Sequence, residues 1–417
     1  MPTDPACSSI QPRVADVELR KILRLVGARS LNSFGRQVLN TTVGWELYRR
    51  TNDPLVFAWS GLVQVIPVVL LFVPAGTLVD RVDRRTLASA AAAMTGAVGV
   101  ALALASATHA PTGLYYLYLL FQGCVTAVHA PAVASLLPMI VARDRLTEAN
   151  RVSSSLQELA SIVGPFLAGT ALSWVTPTAV YAALAGTGLG AAGLYLSLPR
   201  PRAVETVAAN ARKDWRVGLR FIFRSPLLLP ALTLDMFAVL FAGVVALLPA
   251  VALDVLHTNS FGFGLLRASQ SAGAVTMAVL GGRMPAWKRP GRVLLIVVAL
   301  FGLATIGFGL STWLPLSLVL LFLCGALDNI SVVIRLTLEQ MVVPDAIRGR
   351  VSAVHFVFIG MSNELGGAES GFAAAAIGVV PAIVLGGALA VIVVGVVAVR
   401  WRELARMPPL AELQPGE

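Results

Sequence analysis

Long apolar stretches separated by short charged connections run almost the whole length of the chain. The pattern repeats twelve times, predicting helices near 22–48, 55–79, 86–107, 112–141, 150–175, 177–199, 227–256, 261–284, 291–312, 314–343, 350–378 and 381–400. A helix needs about 20 largely apolar residues to cross a bilayer, and each stretch is long enough. The expected fold class is therefore an all-α polytopic membrane protein with twelve transmembrane helices. The first stretch is the weakest by hydropathy, because Arg29, Asn32, Arg36, Gln37 and Asn40 interrupt it.

Composition strengthens this reading. Of 417 residues, 57% are hydrophobic and 13% charged, against about a quarter charged in a typical soluble domain. A soluble chain this apolar would expose large adhesive patches. A net charge of +10 points to nucleic acid in a soluble protein, but here its distribution explains it. Of the 32 Lys and Arg residues, 26 fall in the tails and alternate connections, counting the N-terminal tail through Arg24. Arg49 and Arg50 mark the first opposite turn, and Arg29, Arg36, Arg267 and Arg335 lie within spans. Such asymmetry places the basic connections and both termini in the cytoplasm, and a bacterial cytoplasmic membrane is the expected location. Residues 1–21 contain Asp4, Asp16 and Glu18 without an apolar core, so they read as a cytoplasmic tail and not a cleavable signal. Cys7, Cys124 and Cys324 form no disulfide framework and read as small packing residues.

Organisation follows from the longest non-spanning stretch, 200–226. It divides the chain into an N-terminal half (1–199), a linker (200–226) and a C-terminal half (227–417), with six spans in each half. Within the linker, Trp215, Leu219 and Ile222 recur at helical spacing against Arg216, Arg220 and Arg224. This fits an amphipathic helix on the inner leaflet, or a tether whose charges only obey the positive-inside rule. The halves echo each other: LLFQGC at 119–124 resembles LLFLCG at 320–325, and each precedes a basic connection. Parallel six-span repeats of this kind build transporters with a midplane substrate site.

One connection carries more than topology. Gly76-Thr-Leu-Val-Asp80-Arg81-Val-Asp83-Arg84-Arg85 reads as a charged loop between the second and third spans. It resembles the signature of the major facilitator superfamily at that place, with Gly76, Leu78, Asp80, Arg81, Arg84 and Arg85 matching and Asp83 replacing a second glycine. Glycine there commonly serves a backbone with positive φ, which Asp tolerates better than most residues. Beyond this loop, the chain is similar to the bacterial branch containing the enterobactin exporter, through GWELYRRTNDPL (44–55), PAGTLVDRVDRR (74–85), LDNISVVIR (327–335), PDAIRGRVSAV (344–354) and FIGMSNELGGAESG (358–371). Gly164-Pro165 followed by Gly169 resembles the fifth-span motif of drug antiporters, with Ala160 where another glycine often stands. Leu119 occupies the place of a fourth-span arginine common in proton-coupled members. The resemblance implies a conformational latch built from Gly76, Asp80, Arg81, Arg84 and Arg85, with Asp80 pairing an arginine or a helix start.

Cargo and coupling chemistry are expected in the intramembrane polar residues, which are costly in hydrocarbon. Arg29, Asn32, Arg36 and Asn40 recur every three or four residues as one stripe on the first span. Arg36 falls about halfway across at 1.5 Å per residue and suits an anionic group or a facing carboxylate; Arg29 suits a structural role. In the tenth span, Asp328, Ser331, Arg335 and Glu339 share a face. Arg335 and Glu339 are expected to pair with each other or across helices. Asp328 is the candidate for proton coupling, since leaving water favours the neutral form of a carboxyl group; a permanent ion pair is the alternative. Asn363, Glu364 and Glu369 are candidates in the eleventh span, with Asp235, Glu158 and Arg267 secondary. His129 and His355 read as packed side chains, and Trp45, Tyr48 and Trp59 as an outer aromatic belt.

Enzyme signatures are absent: no phosphate-binding Gly-x-x-x-x-Gly-Lys-Ser/Thr loop, no His-Glu-x-x-His and no Cys-x-x-Cys occur. No cofactor or metal is expected. The function expected is secondary active export of small amphipathic or anionic molecules, siderophore-like, by alternating access with proton antiport. Multidrug or macrolide efflux, and a non-transporting membrane sensor or scaffold, are the alternatives. The partners expected are a small-molecule substrate, protons and lipid, without nucleic acid, and the chain is expected to be monomeric.

Overall fold

Helices form wherever the apolar stretches predict them. The computed structural model describes residues 10–141, 145–199, 215–281 and 287–413. The first six spans are α1 (Ile10–Thr51), α2 (Leu55–Arg81), α3 (Arg84–Ala107), α4 (Thr112–Ile140), α5 (Leu146–Ala171) and α6 (Pro177–Leu196). A short helix, α7 (Trp215–Arg224), precedes the second six. These are α8 (Leu228–Val255), α9 (Ser260–Gly281), α10 (Pro290–Leu310), α11 (Leu314–Val342), α12 (Asp345–Ile377) and α13 (Val379–Arg400), followed by the single turn α14 (Arg402–Arg406). The fold is all-α, with twelve spans in two sets of six. Among the described residues, seven helices are apolar and long enough to cross a membrane by those measures alone. Of the other five, α2 counts only as the shorter apolar helix Leu55–Leu71, while α1, α5, α9 and α12 carry polar residues along their length.

Three local features differ from the sequence expectation. Residues 10–21 continue α1 as helix and do not form an irregular tail. The expected loop at 76–85 is mostly helical, because α2 runs to Arg81 and only Val82 and Asp83 separate it from α3. The helix continues past Pro67 and Pro74, and the Val82 N–H still donates to the Leu78 carbonyl at 3.0 Å. Asp83 has φ −56°, so no left-handed residue is needed. It is the N-cap of α3, accepting from the Arg85 N–H and the Thr86 hydroxyl, each at 3.1 Å. The third difference is α8, expected as one uninterrupted span. It is α-helical to Ala242, then passes through a 3-10 turn at Val244–Leu247 and a π turn at Val251–Val255. Pro249 lacks the N–H that would bond the Val245 carbonyl, which accounts for part of the break.

Contacts gather the helices into two compact units. The first holds α1 up to Asn40, Leu70–Gly164 and α6. Small residues let α3 and α6 touch there: a Cβ on Gly96 would meet the Ala185 carbonyl at 3.0 Å, and Ser89 donates to the Ala192 carbonyl at 3.0 Å. Close backbone approach of this kind replaces the hydrophobic drive that lipid cannot supply. Leu25, Ala28, Ala88, Ala132, Leu136, Ala191 and Tyr195 form its buried core.

The second unit holds Thr41–Val69, Pro165–Val175 and the chain from α7 onward. Its core at the arginine-rich end joins α7, α8 and α10 to α13 through Ile222, Leu234, Leu294, Ile334, Leu338, Val351 and Val397. At its other end, Gly169 of α5 lies against Ser260 and Gly264 of α9, so closely that a Cβ would collide. There Trp45 stacks on Phe263 with ring centroids 5.1 Å apart. Tyr48 stacks on Phe57 at 5.2 Å and donates its hydroxyl to Asp254. Trp45 and Tyr48 are each 2% exposed, which overturns their expected place in an aromatic belt. Their rings pack within the protein because this end of α1 faces α2 and α9. Trp59 is exposed and meets Phe372 edge-on.

Candidate functional site

The polar stripe of α1 builds a cluster within the first unit. Asn32 is buried, and its amide nitrogen lies 3.4 Å from His129 Nε2 on α4. His129 accepts that bond in the tautomer protonated at Nδ1. The Tyr195 ring of α6 meets the imidazole edge-on, with centroids 5.8 Å apart. Arg29 and Arg36, both half-buried, stand within electrostatic reach of His129 and Tyr195. The stretch of α1 from Leu25 to Asn40, and all of α3, α4 and α6, contain no carboxylate. Buried polar atoms of Asn32 (Oδ1), Tyr195 (hydroxyl) and Gln122 (both amide atoms) have no hydrogen-bond partner among the described residues. The unpartnered atoms include acceptors as well as donors, so it is the two guanidinium groups, on helices whose packed stretches lack a carboxylate, that suit an anionic acceptor. Asn40, at the end of the stripe, is exposed.

A second cluster lies within the second unit, where α8, α11 and α12 meet. Asp235 of α8 is buried, and its Oδ1 receives Arg335 of α11 at 2.7 Å. The same guanidinium donates to Ser331 Oγ, one turn back on its own helix, at 2.7 Å. Helical side chains lean toward the N-terminus, which carries the Arg335 head in the direction of Asp328. Asp328 is half-buried and within electrostatic reach of Arg335 and Asp235. It makes no hydrogen bond or ion pair among the described residues.

Beside these groups, Glu339 of α11 accepts from both Ser352 and His355 of α12, the His355 Nδ1 at 2.5 Å. Both partners of the histidine pair are buried, at 5% and 3% exposure, and Nε2 of His355 has no partner among the described residues. Arg335 and Glu339 thus pair across helices and not with each other. His355 and Ser352 are the members that sequence reasoning missed. A single histidine ten residues into a span gives no signal of its partner until the helices are docked.

The remaining candidates scatter. Asn363 is exposed and donates to the Ile359 carbonyl of its own helix at 2.9 Å. Glu364 is half-buried where α12 crosses α2 at Gly61, and Glu369 is half-buried beside Ser370. Glu158 is exposed. Arg267 of α9 is half-buried, with no hydrogen bond or ion pair among the described residues. Of the latch residues, Arg84 donates to Met139 Sδ at 3.0 Å and Arg85 to the Leu198 carbonyl at 2.6 Å, both within the first unit. Arg81 is exposed. The backbone of Gly76 and Asp80 lies in α2, and the Asp80 side chain falls outside the described residues. In the fifth-span motif, Gly164 packs against Gln37 of α1, whereas Pro165 and Gly169 belong to the α5 segment that meets α9.

Comparison with known proteins bears on this arrangement. The model of the Major Facilitator Superfamily matches residues 25–367. The enterobactin exporter of Citrobacter koseri is 28% identical over 292 residues, covering 67% of this chain and 67% of that protein. The enterobactin exporter of Shigella flexneri is 28% identical over 291 residues, with the same coverage. Among solved structures, a bacterial homolog of the human lysosomal transporter Spinster, inward-facing and occupied, has a TM-score of 0.71 at 16% identity, covering 100% of both chains. A D-xylose-proton symporter has a TM-score of 0.71 at 12% identity, covering 94% of this chain and 99% of its own. At these identities the structural likenesses speak to the fold alone. Twelve helices in two sets of six and a family match spanning most of the chain lead to one conclusion: the protein belongs to the Major Facilitator Superfamily of membrane transporters.

Proposed function

We propose that this transporter is a secondary active exporter of small amphipathic or anionic molecules, driven by proton antiport through alternating access. The carrying observation is Asp328, a half-buried carboxylate without a partner of its own, near an arginine already engaged by Asp235. Protonation of either carboxylate changes which of them Arg335 neutralises, so α8 and α11 have two alternative arrangements. A proton-linked switch needs a bistable element of this kind. The acid-free cluster around Arg29, Arg36, His129 and Tyr195 supplies the complementary part, a place where an anionic group is favoured. Asn40 in the first unit, and Asn363, Glu364 and Glu369 in the second, are proposed as further substrate-binding or coupling residues.

In this reading the basic connections face the cytoplasm, and the halves 1–199 and 227–417 are the moving bodies. The opposite ends of α1, α2 and α5 pack against α9 and α12 within the second unit, which fits a state sealed to the outside. The proposed latch at Gly76, Asp80, Arg81, Arg84 and Arg85 then works at the cytoplasmic end. A siderophore-like metabolite is the proposed cargo, supported by the enterobactin exporters among its relatives.

The test uses proteoliposomes with an imposed pH gradient, with enterobactin as the transported probe and an entrapped pH indicator. The wild-type protein is expected to accumulate the probe against its gradient while moving protons the other way. Asp328→Asn is expected to lose gradient-driven accumulation but keep downhill exchange. Full gradient-driven accumulation by a well-folded Asp328→Asn protein would refute the coupling role. Accumulation that ignores the pH gradient in the wild type would refute proton antiport.

A further inference from the structure

The linker helix α7 has two faces with different fates. At 100° per residue, Arg216, Arg220, Phe223 and Arg224 fall within an arc of about 100°, and all four are exposed, Phe223 at 59%. Gly218 and Ile222 lie on the opposite side and are buried. A Cβ on Gly218 would stand 2.7 Å from the Arg350 carbonyl oxygen and 3.0 Å from the Val351 nitrogen. The helix is therefore seated backbone to backbone on the first turns of α12. Leu219 and Phe221 pack against the core of the second unit. This is not a free tether: the protein holds α7 in one orientation and presents its arginines outward.

Arg220 and Arg224 make no hydrogen bond or ion pair among the described residues. Two arginines one turn apart, about 5–6 Å between Cβ atoms, have side chains long enough to converge on one phosphate, which each can bond bidentately. An exposed phenylalanine on the same arc distinguishes a lipid from a free anion, because it needs acyl chain or interface beside it. Helices with this pattern lie at the boundary of headgroups and acyl chains, and basic clusters there select anionic lipids. The position fits: α7 lies between spans α6 and α8, next to the membrane-spanning end of α12.

We propose that α7 is an anionic-phospholipid docking surface, in which Arg220 and Arg224 hold the headgroup phosphate and Phe223 enters the interface. Bound lipid then braces α7 against α12, a little over one turn before the pair made by His355 with Glu339. The proposal rests on the membrane fold alone and is independent of cargo and coupling.

Native mass spectrometry of the purified full chain tests it, with phosphatidylglycerol or phosphatidylcholine added to the detergent. Wild-type protein is expected to retain phosphatidylglycerol in preference to phosphatidylcholine. R220Q/R224Q is expected to lose about 25-fold in phosphatidylglycerol retention, roughly a factor of five per arginine near an anionic surface. R220K/R224K keeps the charge and should keep most of the binding. R289Q/R402Q, which removes two other exposed arginines of the same unit, should bind as the wild type does. Equal retention by R220Q/R224Q, or an equal loss in R289Q/R402Q, overturns the proposal. Complete displacement of the lipid by excess inorganic phosphate would reduce the site to a simple anion site and overturn it as well.

Discussion

The two units treat buried charge in opposite ways. In the second, around α8, α11 and α12, carboxylates have partners: Asp235 holds Arg335 and Glu339 accepts from His355, while Asp328 stands within electrostatic reach of Arg335. In the first, Arg29 and Arg36 stand with His129 and Tyr195 on helices whose packed stretches contain no carboxylate. A charge in hydrocarbon is costly and persists where it has a partner or a task. In the second cluster Asp235 neutralises Arg335 directly. Under the proposed function, two arginines on helices whose packed stretches lack a carboxylate suit the first cluster to receiving an anion, and recognition and coupling fall to different units of one chain.

The strongest way to break this contrast is at the second cluster. Asp235→Ala removes the ion-pair partner of Arg335 and leaves the nearby charge of Asp328 to offset it. It is expected to destabilise the protein, by less than the ~3–5 kcal/mol of a wholly uncompensated buried charge, read from thermal or denaturant unfolding in detergent. Replacing both partners, Asp235→Leu with Arg335→Met, should recover most of that stability while abolishing proton-driven transport. A single variant as stable as the wild type would mean that the pair carries no structural weight. At the first cluster the signs differ. Arg29→Gln should leave stability nearly unchanged and weaken transport of an anionic probe about 10- to 100-fold, as expected for losing ~1.5–3 kcal/mol of charged hydrogen bonding. A large loss of stability there, with transport intact, would show that the cluster is self-sufficient and the contrast false. The smallest effect is expected from Asn32→Ala, which removes the neutral bond to His129 and should cost about 1 kcal/mol in unfolding free energy. A transport loss as large as that of Arg29→Gln would move substrate recognition onto the amide.

Much of the fold is legible in the sequence, because the bilayer allows few solutions. Twelve apolar stretches, each satisfying its own backbone hydrogen bonds, must be helices, and apart from the start of α1 their ends are located to within a few residues. The misreadings have specific causes. The connection at 76–85 looks like a loop because its charges signal the membrane surface, yet charge does not end a helix. Asp83 ends it by capping the next helix. The break in α8 has Gly243 and Pro249 as visible signals, but hydropathy averaging passes over them. Trp45 and Tyr48 look like belt residues by their depth, and only the packing of α1 beside Phe57 and Phe263 turns them inward.

For the candidate site, the sequence alone determined which residues are expensive in a membrane and on which helical face each one lies. Period and spacing are local properties, so Arg29, Asn32 and Arg36, or Asp328, Ser331 and Arg335, could be grouped without coordinates. Which of them are neighbours across helices was decided by tertiary structure alone. The pairs Asp235–Arg335 and Glu339–His355 join residues 100 and 16 positions apart, and no local rule links them. Ion pairing depends on a few ångströms between helices, and that distance is set by the small residues that let the helix backbones approach.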